Sequence, residues 1–135
     1  MSYGVAAALQ AAVYQRLVAH VALTGLVGTA IFDAIPSGVL PPIYVALGPE
    51  IARDASDGTG RGAEHEFTIS VVTDTAGFAS AKTAAAAVSD ALIGAPLVLS
   101  RGKLIYLNFS RAVAARVGTG GVRQISLTFK ARVED

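Results

Sequence analysis

The sequence predicts an α+β fold: a mostly antiparallel sheet with two helices packed on one face, in the order α-β-β-β-α-β-β-β. Three observations lead there. Apolar residues at helical spacing occur in two Ala-rich segments, one near the N terminus and one from Phe78 to Leu92. The segments between and after them are short, rich in β-branched and aromatic residues, and punctuated by Gly and Pro. From Gln124 to Val133 apolar and polar residues alternate strictly, as they do in a strand with one buried face.

In order along the chain, Val5, Leu9, Val13, Leu17 and Val21 predict a first helix from Val5 to Leu23, with Gly25 as its stop. Thr29 to Ala34 reads as a short strand. Pro36-Ser37-Gly38 and Pro41-Pro42 form a stiff connection that a central strand excludes, because proline brings no N–H to the ladder. Ile43 to Leu47 reads as a strand that Gly48-Pro49 is expected to terminate. From Glu50 to Glu64 no periodicity is visible, and the small, charged run from Arg53 to Gly62 predicts a long loop. Phe67, Ile69 and Val71 then alternate with Glu66, Thr68 and Ser70 in a further strand.

Asp74 or Thr75 is the expected cap of the second helix, whose buried stripe is Phe78, Ala81, Ala85, Val88 and Leu92 and which Gly94 and Pro96 end. Leu97–Leu99 and Leu104–Phe109 flank Ser100-Arg101-Gly102-Lys103 and predict a hairpin with Gly102 at positive φ. Beyond the run Gly118-Thr119-Gly120-Gly121, the last strand turns Ile125, Leu127, Phe129, Ala131 and Val133 to the core. Gln124, Ser126, Thr128, Lys130 and Arg132 face the other way.

The 135 residues make one domain's length, 1–135, without repeat or linker, and a chain of this size buries roughly two-thirds of its unfolded surface. Hydrophobic residues make up 53% and charged residues 16%, so part of the apolar surface is expected to meet a partner. Gln10, Gln15, Arg16 and His20 interrupt the N-terminal apolar stretch, which also lacks a basic leader, and the chain reads as soluble, with no membrane partner. The absence of cysteine excludes disulfides, thiolate zinc sites and Cys nucleophiles. The formal net charge of +1 hides an asymmetry. Met1 to Ser100 carries four basic and eight acidic residues. From Arg101 on, seven basic residues (Arg101, Lys103, Arg111, Arg116, Arg123, Lys130 and Arg132) face only Glu134 and Asp135. Such a segment binds something acidic or meets the acidic part of another copy.

Catalytic chemistry is not legible. Hydrolases and transferases need a nucleophile with a base in reach, paired carboxylates or a metal cluster, and no such spacing occurs. His20 on the flank of the first helix and His65 at the start of a strand read as surface or boundary residues. The Gly58-Thr59-Gly60-Arg61-Gly62 run lacks the Lys-Ser/Thr ending of a phosphate-binding loop and opens into no helix, so it reads as a loop without a nucleotide cofactor. Asp54 and Asp57 have no third acid at calcium-loop spacing. The basic C-terminal strands could face nucleic acid, but Phe129 points to the core and leaves no stacking platform beside Lys130 and Arg132.

Pro41-Pro-Ile-Tyr-Val-Ala-Leu-Gly48, His65-Glu-Phe-Thr-Ile-Ser-Val-Val-Thr73, the Gly77-led helix through Leu92, and Arg123-Gln-Ile-Ser-Leu-Thr-Phe-Lys-Ala-Arg-Val-Glu134 together resemble the tail-terminator, or tail-completion, proteins of long-tailed phages and phage-derived gene transfer agents. The resemblance covers most of the chain and implies a structural, non-catalytic virion protein without cofactor or metal. It implies a homo-hexameric ring on the head-proximal end of the tail tube, in the neck of a particle assembled in the bacterial cytoplasm. Its partners would be the tail tube protein, the head-side connector (stopper) protein, and DNA passing through the lumen without sequence specificity. On that scheme the loop residues Glu50, Arg53, Asp54, Asp57, Arg61 and Glu64 contact a partner, the loop staying mobile in the free protein. Arg111, Arg116, Arg123, Lys130 and Arg132 lie at the subunit interface or lumen, near acidic residues of the next copy. The competing readings are another neck or tail-tube protein, a nucleic-acid-binding regulator using the basic C-terminal strands and, with no nucleophile and base to support it, a small enzyme.

Overall fold

A computed structural model describes residues 3–58, 60–94, 96–118 and 120–135 of the chain; Thr59 and Thr119, within the two glycine-rich runs, lie outside the described residues, as do Met1, Ser2 and Ala95. The elements follow the order α1 (Ala6–Ala19), α2 (Val21–Val27), β1 (Ile31–Phe32), β2 (Ile43–Asp54), β3 (Gly62–Thr73), α3 (Ala79–Ile93), β4 (Lys103–Val117) and β5 (Val122–Glu134). The five strands form one sheet in the order β1-β2-β3-β5-β4, antiparallel except for the β1–β2 pair. The fold is therefore α+β with a mixed, mostly antiparallel sheet, and the helices cover one face.

The core lies between that face and the helices. β3 contributes Ala63, His65, Phe67, Ile69 and Val71, and β5 contributes Ile125, Leu127, Phe129, Ala131 and Val133, all buried. Successive strand residues point to opposite faces, so each strand delivers its alternate residues to one layer. Phe67 and Phe129 stack at 5.7 Å between ring centroids. α3 lays Ala81, Ala84, Ala85, Ala87, Val88, Ala91 and Leu92 against the sheet, the small side chains allowing close approach. Leu9, Val13 and Leu17 of α1 and Leu23 and Val27 of α2 complete the cluster.

Several elements differ from the sequence reading, each for a local reason. The first helix is two helices, because His20 is extended (φ −82°, ψ 109°) and breaks the helical run. Gly25 stays helical, and the chain leaves α2 at Gly28, whose φ of 61° suits a residue without a side chain. Thr29–Ala34 contains a strand of two residues only. β2 does not end at Gly48-Pro49: the register with β3 shifts between Leu47 and Glu50, and the strand resumes to Asp54. A bulge on the outer side of β2 accommodates the proline, where no ladder partner needs its missing N–H.

α3 begins after Phe78 rather than at Asp74 or Thr75, since Gly77 at φ 78° still belongs to the preceding turn. Phe78 is half-buried, in contact with the core rather than within it. Residues 97–99 form no strand, and Gly102 has its predicted positive φ (72°) at the entry to β4, without a hairpin there. The true hairpin is β4–β5, turning through Gly118 and Gly121. The observed order is accordingly α-α-β-β-β-α-β-β.

Candidate functional site

The predicted Glu50–Glu64 loop is mostly sheet. Glu50, Ile51, Ala52, Arg53 and Asp54 pair with Phe67, Glu66, His65, Glu64 and Ala63, leaving a short tip between β2 and β3. That tip is hydrogen-bonded: Ala55 N–H donates to the Gly62 carbonyl (3.0 Å) and Asp57 N–H to the Gly60 carbonyl (3.2 Å). Asp57 Oδ1 accepts from Gly60 N–H at 2.8 Å. Asp54 Oδ1 accepts from both the hydroxyl and the N–H of Ser56 (2.7 and 3.1 Å), bonds that favour its charged form and lower its pKa. Arg61 sits at the tip with its carbonyl accepting from Asp135 N–H at 3.1 Å.

At the β2–β3 ladder the charges are largely spoken for. Arg53 Nη1 lies 3.7 Å from Glu64 Oε1, and Tyr106 of β4 donates to Glu64 Oε2 at 3.0 Å, which raises the tyrosine pKa. Glu50 accepts from Tyr3 at 2.6 Å, raising that tyrosine's pKa, and stands 3.1 Å from His65 Nδ1. His65 is fully buried beneath the Tyr3 ring, which stacks on it at 6.0 Å, so it is neither a surface nor a boundary residue. The Glu50 contact is close but out of line, and neither ring nitrogen has a hydrogen-bond partner. Nothing in the sequence marks this group. Its only trace is that His65 falls in phase with Phe67, Ile69 and Val71.

The C-terminal cations divide into two sets. Lys130 stands opposite Glu66 with Nζ 3.9 Å from Oε1, and Arg132 donates to the Ala55 carbonyl at 2.8 Å while facing Glu64 across the ladder. Arg123 donates to the Thr75 and Gly121 carbonyls (3.2 and 3.1 Å), lies 5.5 Å over the Phe78 ring, and buries its Nε without a partner. These three are anchored within their own chain. Arg111 and Arg116, both on β4, are exposed and carry no hydrogen bond or ion pair among the described residues.

The strand read at Leu104–Phe109 is part of β4, but the sequence reading missed its continuation to Val117. From Asn108 to Val117 every residue is exposed, on both faces of the sheet, and among the described residues its outer edge has no neighbouring strand. Phe109 and Val113 are each 47% exposed. The other sheet edge is stepped: β1 pairs only with Val45 and Ala46, so β2 is open beyond them. Among the described residues no group of three or more His, Cys, Asp or Glu could hold a metal ion. No helix is long and apolar enough to cross a membrane.

A fold that spends its buried residues on packing and leaves a strand exposed from Asn108 to Val117 fits a structural assembly protein. The chain belongs to the family of the tail completion protein gp17, whose model matches residues 11–134. It is also 63% identical, with a TM-score of 0.94, to a chain from the virion of a native gene transfer agent particle; the match covers 99% of this chain and 100% of that one. No curated protein matches it. It is thus a non-catalytic structural protein related to those of phage and gene transfer agent tails.

Proposed function

We propose that six copies of this chain close a ring on the head-proximal end of the tail tube, stop its polymerisation, and join it to the head-side connector, with DNA passing through the lumen. The observation that carries the reading is the near full-length likeness to a virion chain of a gene transfer agent, together with membership of a tail-completion family. The shape of the sheet supports it. The β2–β3 tip and the β4–β5 turn stand at opposite ends, since Ala63 faces Val133 at one end and Thr73 faces Arg123 at the other. A subunit built this way offers unlike surfaces to a tube below and a connector above, and its two unlike sheet edges suit heterologous contacts that close into a ring.

The partner-binding segment is narrower than Glu50–Glu64. Asp57 and Arg61 lie at the tip between β2 and β3, whereas Arg53, Asp54 and Glu64 lie within the ladder, so the tip docks on tube or connector while the strands below it stay rigid. For the lumen or the neighbouring copy, Arg111 and Arg116 are the available cations. The DNA-regulator reading loses support because Lys130 and Arg132 face Glu66 and Glu64 rather than solvent alone.

The test is genetic and visual. Particles produced without this chain are expected to separate into heads and unjoined tubes of uncontrolled length, and replacing residues 55–61 by Asn-Gly is expected to leave the fold intact while abolishing joining. Tubes of normal length attached to heads in the absence of the chain would overturn the proposal.

A further inference from the structure

Neighbouring copies have an evident way to meet, and it lies at the two ends of the sheet. β4 offers an unpaired backbone edge, which natural monomers ordinarily cover or interrupt. It holds no proline, and after its second bulge, at Phe109/Arg111, it runs in unbroken register with β5 to Val117. At the opposite end, β2 is uncovered from Leu47 to Asp54 because β1 stops at Phe32. We infer that the free edge of β4 pairs antiparallel with the open edge of β2 in a second copy of this chain, so that the sheet continues from subunit to subunit.

Charge selects this pairing over the alternatives. β4 carries Lys103, Arg111 and Arg116 and no acid. The β1–β2 edge and the residue after β1 carry Asp33, Glu50 and Asp54, and their one cation, Arg53, is held by Glu64. Two β4 edges placed together would set three cations against three, which disfavours a two-fold dimer through that strand and favours the acidic edge. The levels agree as well. Arg111, by way of Thr128 and Thr68, is level with the register shift beside Glu50, and Lys103, by way of Glu134 and Gly62, is level with the end of β2 beside Asp54. On the face away from the helices stand exposed Val113 from β4 and exposed Ile51 from β2.

Direction follows from topology. From β2 through β3 and β5 to β4 the sheet takes three antiparallel steps, so β4 runs opposite to β2. A rotation that sets a second copy alongside without inverting it brings the two edges together antiparallel, and repetition of one such step closes into a ring or extends as a filament. With the second copy set at the same height, the register places Asn108 level with Lys130, Glu66 and Ile51, so Asn108 meets the middle of the open β2 segment.

This inference rests on the ring reading but is tested apart from it. Particles are prepared with a benzophenone-bearing phenylalanine in place of the exposed Asn108 and irradiated, and the adducts are mapped by mass spectrometry. The expected product is a cross-linked dimer of this chain with its attachment between Leu47 and Asp54. Attachment to β4 of the second copy, to α1 or to another virion protein overturns the edge pairing, and so does the absence of any adduct. Combined Lys103→Glu and Arg111→Glu substitutions are expected to lower the dimer yield at low salt at least tenfold; an unchanged yield overturns the charge match. Imaging of the same particles separates the two claims. A closed ring without the adduct leaves the ring reading standing and removes the edge pairing, whereas the adduct without a closed ring does the reverse.

Discussion

β4 and β5 are joined by a single turn and pair almost residue for residue, yet one is half core and the other nearly all surface. β5 lies in the middle of the sheet, under α3, and buries every second residue from Ile125 to Val133. Only the beginning of β4 reaches helix cover: Leu104 and Leu107 are half-buried near the end of α3, and everything from Asn108 on is exposed. Both strands share the ladder between them, but β5 makes a second ladder with β3 and buries its alternate side chains, while β4 does neither beyond Leu107. Burial of apolar area is the larger stabilising term in a fold of this kind. β5 therefore holds the domain together, and β4 is shape built for something outside it.

The sharpest way to break this comparison uses two phenylalanines that touch. Phe129 of β5 is fully buried and Phe109 of β4 meets its edge at 5.9 Å with a 75° tilt, while itself remaining 47% exposed. Phe129→Ala removes a core side chain and is expected to destabilise the free protein by about 3–5 kcal/mol, whereas Phe109→Ala should cost about 1 kcal/mol because half of that ring is already in water. Urea unfolding of the two variants measures the gap. Equal losses would mean that β4 contributes to the core as β5 does, and the division of labour would fail.

A second contrast concerns the two ends of β4. Gly102, entering the strand, has φ 72°, and a Cβ there would meet the Glu134 carbonyl oxygen at 2.6 Å and Val5 Cγ2 at 2.7 Å. Gly118, leaving it, also has positive φ but would place a Cβ in open space. Each alanine incurs the left-handed penalty of roughly 1–2 kcal/mol, and only Gly102→Ala adds a backbone collision on top. The thermal midpoint of Gly102→Ala is expected to fall clearly below that of Gly118→Ala. The entry of β4 is thus built into the domain and its exit is not.

The same contrast explains what the sequence disclosed. Alternation along β5 and β3 gives their buried residues directly, because burial on one face writes a period of two into the chain. In β4 neither face is buried beyond Leu107, no period is written there, and the strand read at Leu104–Phe109 is only the start of a strand of fifteen residues, with no hairpin partner at Leu97–Leu99. Gly48-Pro49 misleads for a related reason: it breaks a central strand but only bulges an edge, and edge position is a property of the whole sheet that neighbouring residues do not encode. Likewise Lys130 and Arg132 read as free cations, since their partners Glu66 and Glu64 lie more than sixty residues away and meet them only through the β3–β5 register. The family resemblance is legible because it rests on ordered sequence patterns in β2, β3, α3 and β5, which these local misreadings leave in place.

The smallest effect lies at the far end of the sheet, in the β2–β3 tip, and it depends on pH. Asp54 accepts two bonds from Ser56, and these lower its pKa below the usual carboxylate range in the folded chain. A carboxyl whose folded pKa is depressed contributes stability above its unfolded pKa and loses it as pH falls through the folded value. The tip should therefore keep its hydrogen-bonded shape at neutral pH and loosen only in distinctly acid solution, while β5 remains folded. Amide exchange at Ser56 and Gly62, followed as pH is lowered and corrected for intrinsic rates, is expected to rise before exchange at Phe129, and Asp54→Asn should weaken the acid dependence. If Ser56 and Phe129 lose protection together, the tip is part of the β5-centred core rather than a docking element mounted on it.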